Sequence, residues 1–213
     1  MKLENIHEFF KRLHAQNPEP KSDLEYTNPY TLLVAVTLSA QSTDIGVNKA
    51  TKDLFSYVDT PQKMVDLGVE KLKSHIKTIG LYNNKAKNVI ALSEAIIRDF
   101  NGEIPDTREG LMSLAGVGRK TANVVLNIVF KQPTMAVDTH IFRVSNRTGL
   151  AKGKTPDKVE QALLKILPEE FALHAHHWLI LLGRYTCKAR TPNCASCPVN
   201  DLCEFGSKRT GEK

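Results

Sequence analysis

The chain predicts an all-α protein that ends in a compact, cysteine-rich loop. Apolar residues recur at helical spacing through most of its length, and no segment alternates convincingly as a strand. All four cysteines fall in one short stretch, Cys187, Cys194, Cys197 and Cys203, spaced C-x6-C-x2-C-x5-C. With 213 residues the chain suffices for one large domain or two small ones with a real core. A hydrophobic content of 41% with only 7% aromatic residues suits an aliphatic helical interior.

The helical elements follow in order. Ile6, Phe9, Phe10 and Leu13 repeat at helical spacing near the start. Asn28-Pro29 reads as a cap followed by proline at the first helical position, opening the apolar run from Leu32 to Ala40. Asp44 is expected to cap a helix through Phe55. Leu81-Tyr82-Asn83-Asn84 is a loop signal, and an amphipathic helix is expected from about Lys85 to Phe100. Thr107 looks like the cap of a short helix ending near Leu114. Helices are expected over Arg119 to Phe130, broken by Gln132-Pro133, and over Thr139 to Asn146, capped by Asp138. Thr155-Pro156-Asp157 starts another through Leu167, and Phe171 to about Tyr185 supplies the last.

Composition narrows the function. No run of about eighteen apolar residues is present, so no membrane span is expected. The polar start, Met1-Lys2-Leu3-Glu4, has no secretory pattern, which points to a cytoplasmic protein. The net charge of +6, with a pI of about 9.1, favours a polyanionic partner such as nucleic acid, although mild basicity is common among proteins of many functions.

The run Leu114-Ala115-Gly116-Val117-Gly118-Arg119-Lys120-Thr121 carries the chemistry. Two glycines allow a tight turn between helices, and the exposed N–H groups of the turn and of the next helix form a ready phosphate site. A P-loop would need lysine directly after Gly118, where Arg119 stands. A dinucleotide fingerprint would need a third glycine where Thr121 stands, and a preceding strand. What remains is a helix–hairpin–helix that binds nucleic-acid backbone without reading bases. Lys120 falls in the first turn of a helix, where the macrodipole opposes a cation. Such a field favours the neutral amine, which is a nucleophile, yet a plain phosphate contact is the commoner role for a lysine there. Asp138, in Ala136-Val137-Asp138-Thr139-His140, is a helix cap by its position and a candidate proton partner for Lys120.

Clustered cysteines in a cytosolic protein are metal ligands more often than disulfides. Four thiolates suit zinc or an iron–sulfur cluster, and the spacing alone does not choose between them. Lys188, Arg190, Lys208 and Arg209 are cations near this loop. They would balance an anionic cluster and reach a phosphate backbone.

Five segments together resemble a known family. They are Leu38-Ser39-Ala40-Gln41, Ile79-Gly80-Leu81-Tyr82-Asn83, Gly116 through Val125, Val137 through Val144, and the four-cysteine spacing. In this order they resemble endonuclease III, the bifunctional DNA glycosylases of the helix–hairpin–helix superfamily that carry a [4Fe–4S] cluster. The resemblance runs from about Asn17 to Glu204. One departure is Ala115, where the family usually has proline, and a slightly less rigid hairpin is the expected result.

The resemblance implies a six-helix domain over residues 22–133 that carries the hairpin. It implies a cluster-bearing domain from 1–21 and 134–213, with a DNA-binding cleft between the two and Lys120 and Asp138 facing each other across it. It implies damaged double-stranded DNA as partner, in a monomeric, cytoplasmic, nucleoid-associated protein, with the [4Fe–4S] cluster held by Cys187, Cys194, Cys197 and Cys203. It implies that Gln41 fills the space left by an extruded base, that Leu81 wedges beside the orphaned base, and that Gly116, Val117, Gly118 and Arg119 hold the backbone.

His140 is a weaker candidate for a phosphate contact, and Asp44 for either capping or a cleft contact. Arg143 and Arg147 read as surface or DNA-backbone charges. His174, His176 and His177 read as packing and hydrogen bonding rather than as ligands. A monofunctional glycosylase and a non-enzymatic iron–sulfur DNA sensor are the competing functions. Neither needs a lysine at position 120 in this context.

Overall fold

The computed structural model describes residues 1–205, which are helical with no strand among them. Lys208 and Arg209, expected near the cysteine loop, lie outside the described residues. The chain forms two compact units: a middle unit, Ser22–Lys131, and a terminal unit that joins Met1–Lys21 to the chain from Gln132 onward. Helix α1 (Leu3–Gln16) opens the terminal unit. The middle unit contains α2 (Pro29–Ser39), α3 (Asp44–Phe55), α4 (Pro61–Leu67), α5 (Val69–Ile76), α6 (Tyr82–Phe100), α7 (Arg108–Met112) and α8 (Arg119–Ile128). Counting the five-residue α7, that is seven helices where six are expected. The terminal unit resumes with α9 (Thr139–Thr148), α10 (Pro156–Ile166) and α11 (Ala172–Leu181).

The middle unit is built around α2. The Asn28 side chain accepts the Thr31 N–H at 2.9 Å, and the Thr31 hydroxyl accepts the Asn28 N–H at 3.0 Å, a reciprocal cap with Pro29 at the first position. Every residue from Tyr30 to Leu38 is buried, so the helix is apolar on all sides and is wrapped by α3, α6 and α8. One polar group inside this core is satisfied: the Tyr30 hydroxyl lies 2.6 Å from Ser93 Oγ, which donates to the Val89 carbonyl at 2.7 Å. Burial pushes the Tyr30 phenol well above its ordinary range, and the Ser93 contact only partly offsets it. α6 buries Ala86, Val89, Leu92 and Ile96 and packs on α4 and α5.

The terminal unit has its own core. α1 buries Ile6, Phe9, Phe10 and Leu13, as their spacing predicts, in one cluster with Phe171, Trp178, Ile141 and Val144. The Trp178 indole donates to the Asn17 carbonyl at 2.7 Å. Past α11 the helix widens into a π-helical turn, Leu182–Thr186, which directly precedes Cys187. Gly183 sits inside that turn. A Cβ there would lie 2.8 Å from His140 Cβ, so only glycine admits α9 at this distance.

Several element ends differ from expectation. Thr43, not Asp44, caps α3: its side chain accepts the Gly46 N–H at 3.1 Å, and Asp44 is the first helical residue. α6 begins at Tyr82, three residues early, because Leu81 turns the chain with φ 59°. α9 runs on to Thr148 and stops where Gly149 takes φ 75°. The expected helix over 171–185 divides into a 3-10 turn (Glu169–Phe171), α11 and the π turn. α4 and α5 lie in a stretch that no expected element covers; Thr60 caps α4 ahead of Pro61.

Substituting Tyr30→Phe is expected to cost about 1 kcal/mol, since Ser93 keeps its bond to Val89. Leu33→Ala in the same fully buried helix is expected to cost about 2–5 kcal/mol. Urea denaturation midpoints at constant m-value check both the sizes and their order.

Candidate nucleic-acid interface

The hairpin joins α7 to α8. Leu114 and Val117 are buried and anchor it to the middle core, and the Val117 N–H donates to the Leu114 carbonyl at 3.1 Å. Gly116 takes φ 76°, and a Cβ there would lie 2.8 Å from Asn88 Nδ2, so both the backbone and the space require glycine. Gly118 is the N-cap of α8 and has open space around it; a Cβ there would meet nothing within 4 Å. α8 buries Ala122, Val125 and Leu126, which leaves Arg119 and Lys120 exposed on its first turn. The first N–H groups of a helix have no partner within it, so this end offers backbone donors and two cations together. Arg108 Nε donates to the buried Asn123 Oδ1 at 3.0 Å and braces α7 against α8.

Gln41 and Leu81 stand on neighbouring loops of the same unit. Both are exposed and both are left-handed, with φ 56° and 59°. Their backbones run close: a Cβ on Gly80 would lie 3.8 Å from the Gln41 carbonyl oxygen. Lys85, which carries no motif signal, is buried on the first turn of α6 and donates from Nζ to Ser42 Oγ at 2.8 Å. Burial pushes this ammonium below the usual lysine range.

In the terminal unit Asp138 is the N-cap of α9. Oδ1 accepts the N–H groups of His140 and Ile141 at 2.9 and 2.8 Å, and Oδ2 lies 3.0 Å from His140 Nδ1. The capping role is therefore real, and His140 is engaged with this carboxylate. Asp138 is 13% exposed at its side chain, so its carboxylate is partly desolvated.

The four cysteines form no disulfide and line one cavity of about 330 Å³ including its open mouth, with Leu182 and Phe205 also lining it. Burial pushes the Cys197 thiol up, and the charges of Cys203, Cys187 and Cys194 add to that. All four thiols line this one space, and four thiolates suit an iron–sulfur cluster or zinc.

Arg143 and Arg147, expected as surface or DNA-backbone charges, are half-buried and bond backbone carbonyls. Arg143 donates to the Gly183 carbonyl at 2.7 Å and the Cys187 carbonyl at 3.1 Å. Arg147 donates to the carbonyls of Lys188 and Ala189 at 2.8 and 2.6 Å, approaches Cys187 Sγ at 3.8 Å and lies over the Phe205 ring. Their spacing of four on α9 is the signal that could have revealed one shared task. His174 packs on Trp178 with ring centroids 5.7 Å apart, and His176 and His177 pack on each other.

The helical fold, the glycine hairpin and the cysteine-lined cavity define a helix–hairpin–helix DNA repair protein with an iron–sulfur site. The chain belongs to the HhH-GPD superfamily of base excision DNA repair proteins, matched over residues 34–169, and residues 187–203 match the iron–sulfur binding domain of endonuclease III. Within the superfamily its relatives are of the endonuclease III type. It is 59% identical to endonuclease III of Haemophilus influenzae over 94% of this chain and 95% of that one. It is 55% identical to the Escherichia coli protein of that name over 94% and 95% of the two chains. A trapped endonuclease III–DNA covalent intermediate superposes with a TM-score of 0.91 at 44% identity, covering 99% of both chains. A thermostable thymine-DNA glycosylase shares the fold, with a TM-score of 0.85 at 21% identity over 96% and 98% of the two chains. The cofactor is a [4Fe–4S] cluster. No helix among the described residues is long and apolar enough to cross a membrane.

Two outcomes are expected here. Asp138→Ala should destabilise the protein by roughly 0.5–2 kcal/mol, whereas Asp138→Asn should be nearly neutral, because asparagine caps as well as aspartate; thermal denaturation of both variants separates capping from chemistry. The purified protein should be brown with broad visible absorption, and Cys197→Ala should lower its bound iron. A colourless protein with stoichiometric zinc would contradict the cluster assignment.

Proposed function

We propose that this chain is a bifunctional DNA glycosylase that removes oxidised pyrimidines from duplex DNA and then cuts the abasic site by β-elimination. Lys120 is the nucleophile. The observation that carries this reading is an exposed amine on the first turn of α8, directly after a glycine hairpin whose own N–H groups can hold the phosphate. With the backbone occupied by the hairpin, the lysine side chain is left for the sugar. A relative 44% identical to this chain has been trapped as a covalent intermediate with DNA, which supports the same chemistry here.

The target nucleotide leaves the stack, because its anomeric carbon is out of reach inside a duplex. Gln41 fills the vacated space and Leu81 wedges beside the orphaned base; their exposure on adjacent loop tips supports both roles. Gly116, Val117, Gly118 and Arg119 hold the backbone, and His140 adds a contact. The Lys120 amine, giving up a proton, attacks the anomeric carbon, and the bond to the damaged base breaks. The resulting Schiff base acidifies the adjacent sugar proton, and its loss cuts the strand on the 3′ side. Asp138 takes a proton from Lys120 or stabilises the positive charge that develops on the sugar. Two oriented N–H groups on Oδ1 fix this carboxylate in place.

Cys187, Cys194, Cys197 and Cys203 hold the cluster, which orders the C-terminal loop and helps it dock on DNA. The functional domains we propose are 22–133 around the hairpin and 1–21 with 134–213 around the cluster, close to the division into Ser22–Lys131 and the remainder. The protein acts as a monomer in the cytoplasm, on nucleoid DNA, and its net charge of +6 suits that partner.

Incubation with duplex containing thymine glycol, followed by borohydride, should give a covalent complex and a strand nick. Lys120→Ala should still bind damaged duplex yet neither release base nor trap; an adduct in that variant would refute the assignment. Asp138→Asn, with its cap intact, should lose about 10²–10⁴-fold in base release.

A further inference from the structure

We infer that Lys85 is a positioning residue that locks the two DNA-inserting tips, Gln41 and Leu81, into one register through its contact with Ser42. The inference rests on the roles proposed above for those tips, and it adds a residue and a contact to them.

The geometry has three parts. Gln41 and Leu81 are both non-glycine residues in the left-handed region, with φ 56° and 59°. Such a residue is strained and persists only where its surroundings over-determine it. Lys85 is bonded next to both. Its backbone N–H donates to the Leu81 carbonyl at 3.0 Å, closing the first turn of α6. Its side-chain Nζ donates to Ser42 Oγ at 2.8 Å, one residue past Gln41. Ser42 is itself fixed, since its N–H donates to the Ser39 carbonyl at 3.0 Å and holds the turn that carries Gln41. The third part is the close passage of the two loops: a Cβ on Gly80 would lie 3.8 Å from the Gln41 carbonyl oxygen.

A lysine is an expensive way to make such a contact unless the contact matters. Lys85 is only 6% exposed, and a buried ammonium bears a desolvation cost that an apolar residue of the same shape would not. An apolar residue would pack in its place but would leave the Ser42 loop free to shift against α6. The ammonium converts two independent loop tips into one rigid pair. Seating Gln41 in the vacated space and Leu81 beside the orphaned base at the same time demands that rigidity, because a displacement of about 1 Å in such a constellation can cost about 10²-fold.

The test uses Ser42→Ala and Lys85→Met in the full-length, cluster-bearing protein. Two substrates carry the same abasic site, one duplex and one single-stranded. Cleavage of the single strand needs the amine but no insertion. The expected result is a loss of about ten- to hundredfold on duplex, with single-strand cleavage within about twofold of wild type. The double variant should fall no further than the worse single one, because both remove the same contact. Amide exchange without DNA supplies a separate reading: protection of the residue 42 and residue 85 N–H groups should drop together in either variant. If Ser42→Ala keeps the wild-type duplex-to-single-strand ratio, or if the exchange of the two amides is uncoupled, the inference is wrong. If the wild-type protein cleaves neither substrate, the proposed function fails instead, and the exchange result still decides the role of Lys85.

Discussion

The complete burial of α2 is the constraint on which the middle unit depends. An element apolar on every side has no solvent face, so it must be enclosed, and α3, α6 and α8 enclose it. Enclosure fixes where those helices begin. The chain leaves α2 at the turn that bears Gln41, α6 starts directly after Leu81, and α8 starts directly after Gly118 with Lys120 in its first turn. The candidate DNA contacts are thus the loose ends of helices whose bodies are immobilised by one hydrophobic core. This gives rigidity to residues that sit on loops, where a binding site needs both exposure and fixed placement.

Helix N-termini recur as the chemical device. In α8 the terminus is left without a side-chain cap, so its N–H groups are open to a phosphate. In α9 the equivalent donors are taken by Asp138, which fixes one oxygen and sets the other against His140. The difference follows from the residue at the N-cap, glycine in one case and aspartate in the other. An uncapped end serves an external anion, whereas a capped end supplies its own.

The cysteine loop shows how an irregular segment is held in shape. It has little regular structure of its own, and its carbonyls are bound from outside by Arg143 and Arg147 of α9. Glu204, beside Cys203, is bridged by Lys152 at 2.6 Å and also by the Met1 ammonium, which together hold its carboxyl down to about 2. These guanidinium contacts link the cluster loop to the same helix whose first turn presents Asp138. The Gly183 position, with no room for a side chain, lets α9 come close enough to make them.

Much of this was legible in the sequence because it is local. The cap signals of Asn28-Pro29, Thr107, Asp138 and Thr155-Pro156, the α1 apolar spacing, the glycine hairpin and the cysteine cluster each depend on residues a few positions apart, and each appears where expected. α4 and α5 were missed because they are short, and two turns carry too few positions for a period to emerge. Asp44 was misplaced by one residue because Thr43 and Asp44 are both good caps and only the backbone angle of Thr43 decides. The partners of Lys85 and the two arginines were not legible, although the spacing of the arginines on one helix hinted at a shared task. Their roles rest on Ser42, Cys187, Lys188 and Ala189, some 40 residues away in the chain. Sequence by itself determined most of the helices, the glycine turn and which thiols belong together, since propensity and capping act within a turn. Tertiary structure alone decided which charges face which carbonyls and hydroxyls, because those partners become neighbours only when the core closes.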